Sequence, residues 1–307
     1  MHDNPALGVT NDFGRIHDTT NCYVVGPALH PTSGSPNPML TGVALARRSV
    51  TLLADQVLPR AAAFSPGPPW TVLFDGTAKS FSTDWARTNP LNTNGFTLVD
   101  GEIRTYGSSD FGLLYYTRSA FADFTLRAEF KILASDIANG NSGIFVRFRD
   151  PLLDPTAATM QRIQAAGHQD LFNTNRAWSA VHSGFEIQID DLGRPDGLQK
   201  HRTGAIYDLP AGDLLPDGAL DPIDQIYQAP PNLIPGRWYQ YEIDVRGDTY
   251  TVDLTDLVSE ASVRTSSFTN PDPARGVPVL DGQPAGYVGL QSYSNAPTAF
   301  RHISVRP

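Results

Sequence analysis

Residues 183–209 read SGFEIQIDDLGRPDGLQKHRTGAIYDL, and this stretch indicates which fold the chain adopts. Its first part alternates strictly between apolar residues and the polar residues Glu186, Gln188 and Asp190. Successive side chains of a strand point to opposite faces, so the predicted strand has one apolar face and one polar face. Two carboxylates on one face repel each other unless a cation, a proton or a ligand lies between them. The stretch therefore predicts a β-sheet protein in which one sheet face carries chemical groups.

The second part of this stretch adds a histidine to the same region. A turn rich in Gly, Pro and Asp is followed by Lys200, His201 and Arg202, and then by TGAIYDL (203–209), which predicts a second short strand. Acids, a histidine and bases thus meet on one predicted hairpin, which indicates a functional site. The alternative is a solvent-exposed sheet face closed by an ordinary polar loop.

Further predicted strands follow one another at short spacing through residues 70–307. Alternating faces and hairpin turns predict a mainly β protein, a two-sheet antiparallel β sandwich or jelly roll, with no strong helix pattern. Two long irregular stretches, 151–182 and 210–235, are expected to cover one face as binding loops do. The predicted strands cover residues 71–74, 96–106, 112–117, 124–132, 142–150, 185–190, 203–209, 237–256, 285–293 and 300–305.

The composition excludes several classes of partner and site. With 307 residues and a net charge of −9, the chain is a poor candidate for binding nucleic acid or an anionic membrane. No apolar run approaches a transmembrane length, and the single cysteine, Cys22, allows no internal disulfide or multi-cysteine metal site. The first residues have no basic start and no apolar core, so no signal peptide is expected. A cytoplasmic location is the default expectation, and a periplasmic one would require export with a partner.

Polar residues also lie on the predicted faces of other strands. In SGIFVRFRD (142–150), the alternation puts Arg147 on one face and Phe148 on the other. Near the C-terminus, Gln291 and Tyr293 share the polar face of YVGLQSY. Amides and paired charges bind hydroxyl groups, and aromatic faces pack on the apolar face of a pyranose. Together with the polar face of the first strand, these residues predict a carbohydrate site.

The N-terminal part has a different character. Residues 21–58 read NCYVVGPALHPTSGSPNPMLTGVALARRSVTLLADQVL, which predicts a short strand, a Pro- and Gly-rich loop and one helix. These elements are too few to bury a core alone. The pattern PTSG-x-x-NP resembles the C-terminal end of the glucose–methanol–choline (GMC) oxidoreductases. Residues 1–58 are therefore interpreted as a remnant of that region, and the Pro-rich residues 59–69 as a linker.

The resemblance implies a flavin contact, but only in a longer assembly. Asn37 would be the cofactor-binding residue of this segment, in contact with FAD, if the missing flavin domain were present. The dinucleotide-binding fingerprint and the catalytic histidine of GMC enzymes lie upstream of the matching region, and this sequence has neither. The segment is thus expected either to end a longer fusion or to complete a separate GMC flavoprotein.

Residues 70–307 resemble the 3-keto-disaccharide hydrolase domain, a concanavalin-like jelly roll related to laminarinase-type sandwiches. The resemblance depends on WTVLFDGT, SGIFVRFRD, GFEIQIDD with HRTGAIYDL, and the blocks PGRWYQYEIDVRGDTYTV and GYVGLQSY. It implies cleavage of 3-keto-glycosides or 3-keto-disaccharides. GMC enzymes include dehydrogenases that form 3-keto sugars, so the two resemblances support each other. One departure is visible, because the family usually reads GLQ-x-H-G where this sequence has Tyr293 in place of the histidine.

A 3-ketone acidifies the hydrogen at C2, and this chemistry assigns roles to the candidates. Elimination needs a base at C2, an acid at the glycosidic oxygen and a positive group at the enolate oxygen. Glu186 or Asp190 is the predicted base, His201 the acid and Arg147 the group that stabilises the enolate. The predicted substrate-binding residues, which position the sugar ring, are Gln188, Tyr207, Gln291 and Tyr293.

Alternatives to this mechanism remain open from the sequence. Glu186, Asp190 and His201 could instead hold a divalent cation that polarises the ketone. The whole sandwich could be a non-catalytic carbohydrate-binding module, since the same architecture serves lectins. A third possibility is that the chain completes a flavin-dependent GMC oxidoreductase that acts on CH–OH donors.

Overall fold

The computed structural model divides the chain into two compact units, Met1–Pro69 and Trp70–Pro307. In the second unit it describes residues 70–88, 95–106, 111–133, 140–214, 218–219, 224–276, 279–280, 283–293 and 297–307. In the first unit it describes residues 68–69 and a few isolated positions: Ala6, Val9, Thr10, residues 15–17, Cys22 and Val24. The predicted helix of the N-terminal segment, and Asn37 before it, lie outside the described residues.

The second unit is built mainly from β-strands, as the alternation predicts. The described strands are β1 (Thr71–Phe74), β2 (Trp85–Arg87), β3 (Gly95–Val99), β4 (Glu102–Tyr106), β5 (Phe111–Tyr116), β6 (Phe124–Ile132), β7 (Ser142–Phe148), β8 (Phe185–Ile189), β9 (Gln225–Tyr227), β10 (Tyr239–Arg246), β11 (Thr249–Asp256), β12 (Ser262–Thr269), β13 (Val279–Leu280), β14 (Gln283–Pro284), β15 (Tyr287–Tyr293) and β16 (Thr298–Arg306). The sequence-based prediction missed the strands β2, β9, β12, β13 and β14.

Two antiparallel sheets form the sandwich, which confirms the predicted fold class. Among the described residues, the larger sheet has nine strands, in the order β3-β4-β16-β6-β10-β11-β12-β9, with β1 pairing with β16. The smaller sheet has five strands, in the order β2-β5-β15-β7-β8. A separate short ribbon joins β13 to β14. The stretch that opened the sequence analysis thus contributes β8, an outer strand of the five-stranded sheet.

The core lies between the two sheets and collects one face of each strand. On β8, Phe185, Ile187 and Ile189 are almost fully buried in this core. The Phe185 ring lies 5.0 Å from the Tyr250 ring and 5.4 Å from the Phe268 ring of the opposite sheet. Full burial of each such side chain is worth about 1.5–3 kcal/mol, and this fixes which face of β8 points away from the core. Glu186 and Gln188 therefore point outward.

Short helices cover part of the outer face of the five-stranded sheet. The described helices are α1 (Ala78–Asp84), α2 (Ala157–Ala165), α3 (Gln169–Thr174), α4 (Trp178–Ser183) and a 3-10 helix (Gln199–His201). The Thr156 side chain caps α2 by accepting a hydrogen bond from Thr159 N at 3.1 Å. Ala177 and Ala180, at and within α4, pack against Phe111 and Phe145 on the outer sheet face. None of the described helices has the length and apolar character needed to span a bilayer.

The expectation of irregular structure over 151–182 was only half right. This segment does cover a sheet face, but it does so with α2, α3 and α4. These helices have 9, 6 and 6 residues, which is too short for a helical period to stand out in the sequence.

The predicted strand over 203–209 is wrong. Only Ile206 forms an isolated bridge there, to Ile187 on β8. Gly204 has φ +83° and Asp208 has φ +63°, and such left-handed residues interrupt an extended chain. The Gln225 side chain bonds both backbone groups of Ile206, at 3.0 Å to its N and 2.8 Å to its O, in place of a strand partner.

Candidate functional site

A cavity of about 550 Å³ opens on the outer face of the five-stranded sheet. Its floor is the sheet, one wall is the helical segment with α4, and the opposite wall is the segment that follows β8. Cavities of this size are typical of small-molecule sites. The lining residues are Phe111, Asn141, Phe145, Ala166, His168, Trp178, Val181, His182, Glu186, Gln188, Arg194, Pro195, His201, Tyr207, Asp208, Arg275, Gln291 and Tyr293.

Glu186 is the acidic residue that the β8 alternation places in the cavity floor. Glu186 is only 6% exposed to solvent. Burial raises the pKa of the Glu186 carboxyl group well above its usual value of 4.5. One end of the Gln188 amide, on the same face, faces two acceptors, Ser142 O at 2.9 Å and Glu186 Oε1 at 3.3 Å. We therefore assign Nε2 to that end, where it donates to both oxygens. The floor thus holds a carboxyl group that accepts a proton more readily than an exposed carboxylate does.

His201 reaches the cavity from the 3-10 helix on the opposite wall. Asp213 fixes that helix by accepting hydrogen bonds from Gln199 N at 2.6 Å and Lys200 N at 3.1 Å. His201 Nδ1 lies 2.7 Å from Asp196 Oδ1, and its Nε2 lies 3.5 Å from Asp208 Oδ1. Burial alone lowers the pKa of His201, but these two carboxylates outweigh it and raise the pKa above 6.5. The imidazole is therefore held as a proton donor.

Tyr207 interacts with both His201 and Glu186. Its ring lies 4.8 Å from the His201 ring at an interplanar angle of 33°. Burial, followed by the charge of Glu186, raises the pKa of the Tyr207 hydroxyl group above its usual value. Tyr207 therefore stays a neutral phenol that is able to donate a hydrogen bond beside the carboxyl group.

The helical wall carries a histidine pair that the sequence analysis did not identify. His168 Nδ1 lies 3.0 Å from His182 Nε2, and the His168 ring lies 4.6 Å from the Trp178 ring. Burial, followed by the charges of His168 and Arg275, lowers the pKa of His182 to about 4. The available signal was the four-residue spacing of Trp178 and His182, which puts both on one helix face.

Arg275 supplies a positive charge to the cavity and was also missed. It follows β12, far along the chain from β8, so no local pattern points to it. Its Nε donates to Gly184 O at 3.1 Å, and its guanidinium lies 4.5 Å from the Phe185 ring centre. Burial lowers the pKa of Arg275 to about 10, so the group remains a cation at neutral pH.

Six of the predicted site residues are brought together, and two are not. The cavity lining includes Glu186, Gln188, His201, Tyr207, Gln291 and Tyr293 but neither Arg147 nor Asp190. Gln291 is buried, and its Oε1 has no hydrogen-bond partner among the described residues. Tyr293 is 38% exposed and lies at the cavity rim.

Arg147 points away from the cavity because of a bulge in β7. Val288 of β15 pairs with Val146 and Tyr287 pairs with Phe148, so Arg147 between them has no partner. Arg147 has φ +56°, and the strand changes faces there. Phe148 consequently joins Phe145 on the outer face, against the simple alternation. The Arg147 guanidinium group is bound to three backbone carbonyls, Gly276 O at 2.8 Å, Gly247 O at 3.1 Å and Ala122 O.

Asp190 is fully buried in the turn that follows β8. One carboxylate oxygen accepts from Leu192 N at 2.9 Å, and the other accepts from Arg194 N at 3.1 Å and Arg194 Nε at 2.9 Å. Its charge is thus neutralised within the turn. Asp190 orders this segment, whereas Glu186 is the acid that reaches the cavity.

The predicted metal ligands do not converge. Asp190 is bound to Arg194 at 2.9 Å, and His201 Nδ1 is bound to Asp196 at 2.7 Å, so each has a partner other than Glu186. In the part of the chain that the structure describes, no group of three or more His, Cys, Asp or Glu side chains is arranged to hold a metal ion. The described arrangement of Glu186, Asp190 and His201 therefore does not fit a divalent cation.

Comparison with known families agrees with the division of the chain and with the predicted fold. Residues 69–306 match the 3-keto-alpha-glucoside-1,2-lyase-like domain. The chain belongs to this family. Its membership confirms the resemblance of residues 70–307 to the 3-keto-disaccharide hydrolase domain, and it supports a carbohydrate-related function. Residues 1–46 match the GMC oxidoreductase family, which confirms the second resemblance.

Solved structures with related sandwiches are distant from this lyase-like domain. A protein from Parabacteroides distasonis, described provisionally as a glycosyl hydrolase, is 17% identical with a TM-score of 0.46, covering 77% of this chain and 93% of its own. A carbohydrate binding module from Bacillus subtilis is 12% identical with a TM-score of 0.41, covering 73% and 96%. Lectin I from Ulex europaeus is 9% identical with a TM-score of 0.46, covering 77% and 96%. No curated protein sequence matches the chain significantly.

Proposed function

We propose that the jelly roll cleaves 3-keto-glycosides by eliminating the substituent at C1 and then hydrating the product. The observation that carries this proposal is the buried carboxyl group of Glu186 in the cavity floor, whose pKa is raised by burial. A carboxylate with a raised pKa is a stronger base than an exposed one, and a hydrogen next to a ketone is acidic enough for it to remove. The family membership supports the same substrate class.

The elimination proceeds in two steps, through an enolate. Glu186 takes the proton from C2, the C2–H electron pair forms a C2–C3 double bond, and the C3 oxygen becomes an enolate. The ketone then re-forms, a C1–C2 double bond appears, and the C1–O bond breaks. The leaving oxygen takes a proton from His201. Water adds its hydroxyl group at C1 and a proton at C2, so the net reaction is hydrolysis.

We assign enolate stabilisation and sugar binding to other residues of the cavity. A positive group is needed at the enolate oxygen, and Arg275 is the cavity cation that we assign to it in place of Arg147. Tyr207 and Gln291 are assigned to the sugar hydroxyl groups, because both line the cavity and both offer hydrogen-bonding atoms there. Phe111 and Phe145 provide an apolar surface for the sugar ring.

The match of residues 1–46 supports a coupled function for a longer assembly. GMC-type oxidation at C3 of a sugar would supply the ketone that the jelly roll consumes. We therefore extend the proposal to a GMC-type sugar 3-dehydrogenase, acting with FAD, as fusion or partner. Co-purification of the chain with such a flavoprotein tests this extension, and independent behaviour of the two proteins would contradict it.

A turnover assay in D₂O tests the proposed reaction. The full chain is incubated with 3-keto-trehalose, with and without EDTA, and the released sugar is analysed for deuterium at C2. We expect release with deuterium incorporation, loss of at least about 100-fold in Glu186→Gln, and no effect of EDTA.

The matched control is Glu242→Gln on the opposite sheet, where Glu242 pairs with Arg127 outside the cavity. This variant should keep full turnover. Sugar binding without release would overturn the proposal in favour of a carbohydrate-binding module. Release without deuterium at C2 would replace elimination with direct hydrolysis.

A further inference from the structure

Gly143 lies beside the proposed base, on the strand that pairs with β8. It belongs to β7 and pairs with Gln188 on β8, one alternation from the pair formed by Phe145 and Glu186. Unlike the turn glycines, Gly143 does not have a left-handed φ, so its backbone conformation is open to any residue. The need for glycine at this position must therefore come from the space that a side chain would occupy.

The Glu186 side chain fills that space. A Cβ atom at residue 143 would lie 2.7 Å from Glu186 Cγ and 2.8 Å from Glu186 Cδ, and closer still to Oε1. Contacts this short are not tolerated, so the Glu186 carboxyl group would have to leave its present position. From the other side, the Gln188 amide donates to Glu186 Oε1 at 3.3 Å. The position of the Glu186 carboxyl group thus depends on the absence of a side chain at Gly143 and on the hydrogen bond from the Gln188 amide.

We infer that Gly143 is a positioning residue for the carboxyl group of Glu186, and that Gln188 completes the same support. The catalytic meaning of this inference rests on the proposed function, whereas the placement of the carboxyl group does not. A methyl group at residue 143 would redirect the carboxyl group towards the open cavity without removing it. Reacting groups that are displaced by about 1 Å lose on the order of 100-fold in rate.

The first test is Gly143→Ala in the full chain, with 3-keto-trehalose as substrate. We expect kcat to fall about 100-fold while KM changes little, because the sugar contacts remain. In the Glu186→Gln background the same substitution should have no further effect on kcat, since no base is left to misplace. If the role of Gly143 were purely structural, Gly143→Ala would lower kcat by the same factor in both backgrounds, and that result would overturn the inference.

Gly289→Ala is the matched control in the same sheet. Gly289 pairs with Phe145 from β15, and a Cβ atom there would lie 3.0 Å from Leu113 Cδ1 and 3.1 Å from Leu114 O. This substitution is therefore also crowded but does not touch Glu186. It should lower thermal stability and leave kcat within about threefold of wild type, whereas a loss like that of Gly143→Ala would contradict a specific role of Gly143.

A readout independent of turnover separates this inference from the proposed function. Carbon-13 NMR of the Glu186 carboxyl group should show its pKa falling towards 4.5 in Gly143→Ala, because the group becomes more hydrated. That shift without any wild-type turnover would retain the inference and reject the proposed function. An unchanged pKa would overturn the inference.

Gln188→Met covers the case in which Gly143→Ala does not fold. It removes the donor to Glu186 Oε1 and keeps a side chain of similar length. A donor to the carboxylate favours the charged form, so its loss should raise the pKa of Glu186 further and lower kcat. If both quantities stay at their wild-type values, the support assigned to this floor is wrong.

Discussion

Glu186 is a carboxylic acid in surroundings that disfavour its charge. The apolar residues on the other side of β8 anchor the strand in the core, so the backbone of Glu186 is held at the cavity floor. A buried acid with a single amide donor costs stability, and active sites commonly contain such groups. At the scale of one residue, this cost is the clearest sign of function in the molecule.

The pH profile of cleavage should report this carboxyl group. Burial raises the pKa of Glu186, and only the deprotonated form acts as a base. We expect kcat/KM for 3-keto-trehalose to fall as the pH drops through that raised pKa, well above 4.5. A rate that stays constant down to pH 4.5 would show that another group is the base.

The alkaline side of the profile should depend on Asp208. Hydrogen bonding to Asp208 and Asp196 raises the pKa of His201 above 6.5 against the effect of burial. Asp208→Asn removes one of these carboxylates, so the pKa of His201 falls and activity is lost at a lower pH than in wild type. Measured profiles that coincide on the alkaline side would exclude His201 as the acid.

The stability of the protein should also depend on Glu186. The folded pKa is raised, so between 4.5 and that value the folded state binds more protons than the unfolded state. The contribution of Glu186 protonation to the free energy of unfolding is therefore fully present below pH 4.5 and is lost as the pH rises through the folded pKa. The slope of this loss approaches about 1.4 kcal/mol per pH unit. Glu186→Gln should be more stable than wild type at pH 8, with the difference vanishing near pH 4. Thermal unfolding at both values checks this, and a less stable variant at pH 8 would contradict it.

At the scale of the element, the bulge in β7 decides what that strand presents to the cavity. A single unpaired residue turns Phe148 to the outer face and directs Arg147 towards the backbone carbonyls of three separate segments. The same bulge thus places Phe148 on the outer face of the sheet and lets Arg147 anchor these three segments. A regular strand with the same sequence would have placed Arg147 in the floor.

Arg147→Met should destabilise the fold rather than alter the chemistry directly. The substitution keeps much of the side-chain volume but leaves the carbonyls of Gly247, Gly276 and Ala122 without this donor. We expect a loss of about 3 kcal/mol in the free energy of unfolding. Urea denaturation measures it. A loss below about 1 kcal/mol, or a lost sugar site in a fully stable protein, would contradict the anchoring role.

The whole molecule combines a well-defined jelly roll with a segment from another family. The core that is formed by the described residues draws its members from residues 73–305, all within the second unit. The described residues that line the cavity also belong to that unit. We therefore expect the second unit to form its core and its cavity without residues 1–69.

Residues 70–307, expressed alone, should fold and keep the sugar site. We expect one cooperative thermal transition and turnover of 3-keto-trehalose within about threefold of the full chain, because core and cavity are both retained. Circular dichroism and the turnover assay test this. A fragment that is unfolded, or folded but unable to bind the sugar, would show that the N-terminal segment contributes to the site.

Alternation along single strands allowed much of the fold and part of the site to be predicted. The pattern of β8 is local, so it placed Glu186 and Gln188 on the polar face before any partner strand was known. Together with the family motifs, it also brought His201, Tyr207 and Gln291 into the candidate set. These are properties of short segments, which a sequence specifies directly.

Only the tertiary structure decided the remaining features of the site, because a local sequence pattern does not show which distant segments pair. The direction of Arg147 depends on the register of β7 with β15, and the role of Asp190 depends on how the turn brings Arg194 back to it. The histidine pair belongs to helices too short to show a period, and Arg275 reaches the cavity from beyond β12. Gly143 gives no signal at all in the sequence, because its role is the empty space that the Glu186 side chain occupies on the neighbouring strand.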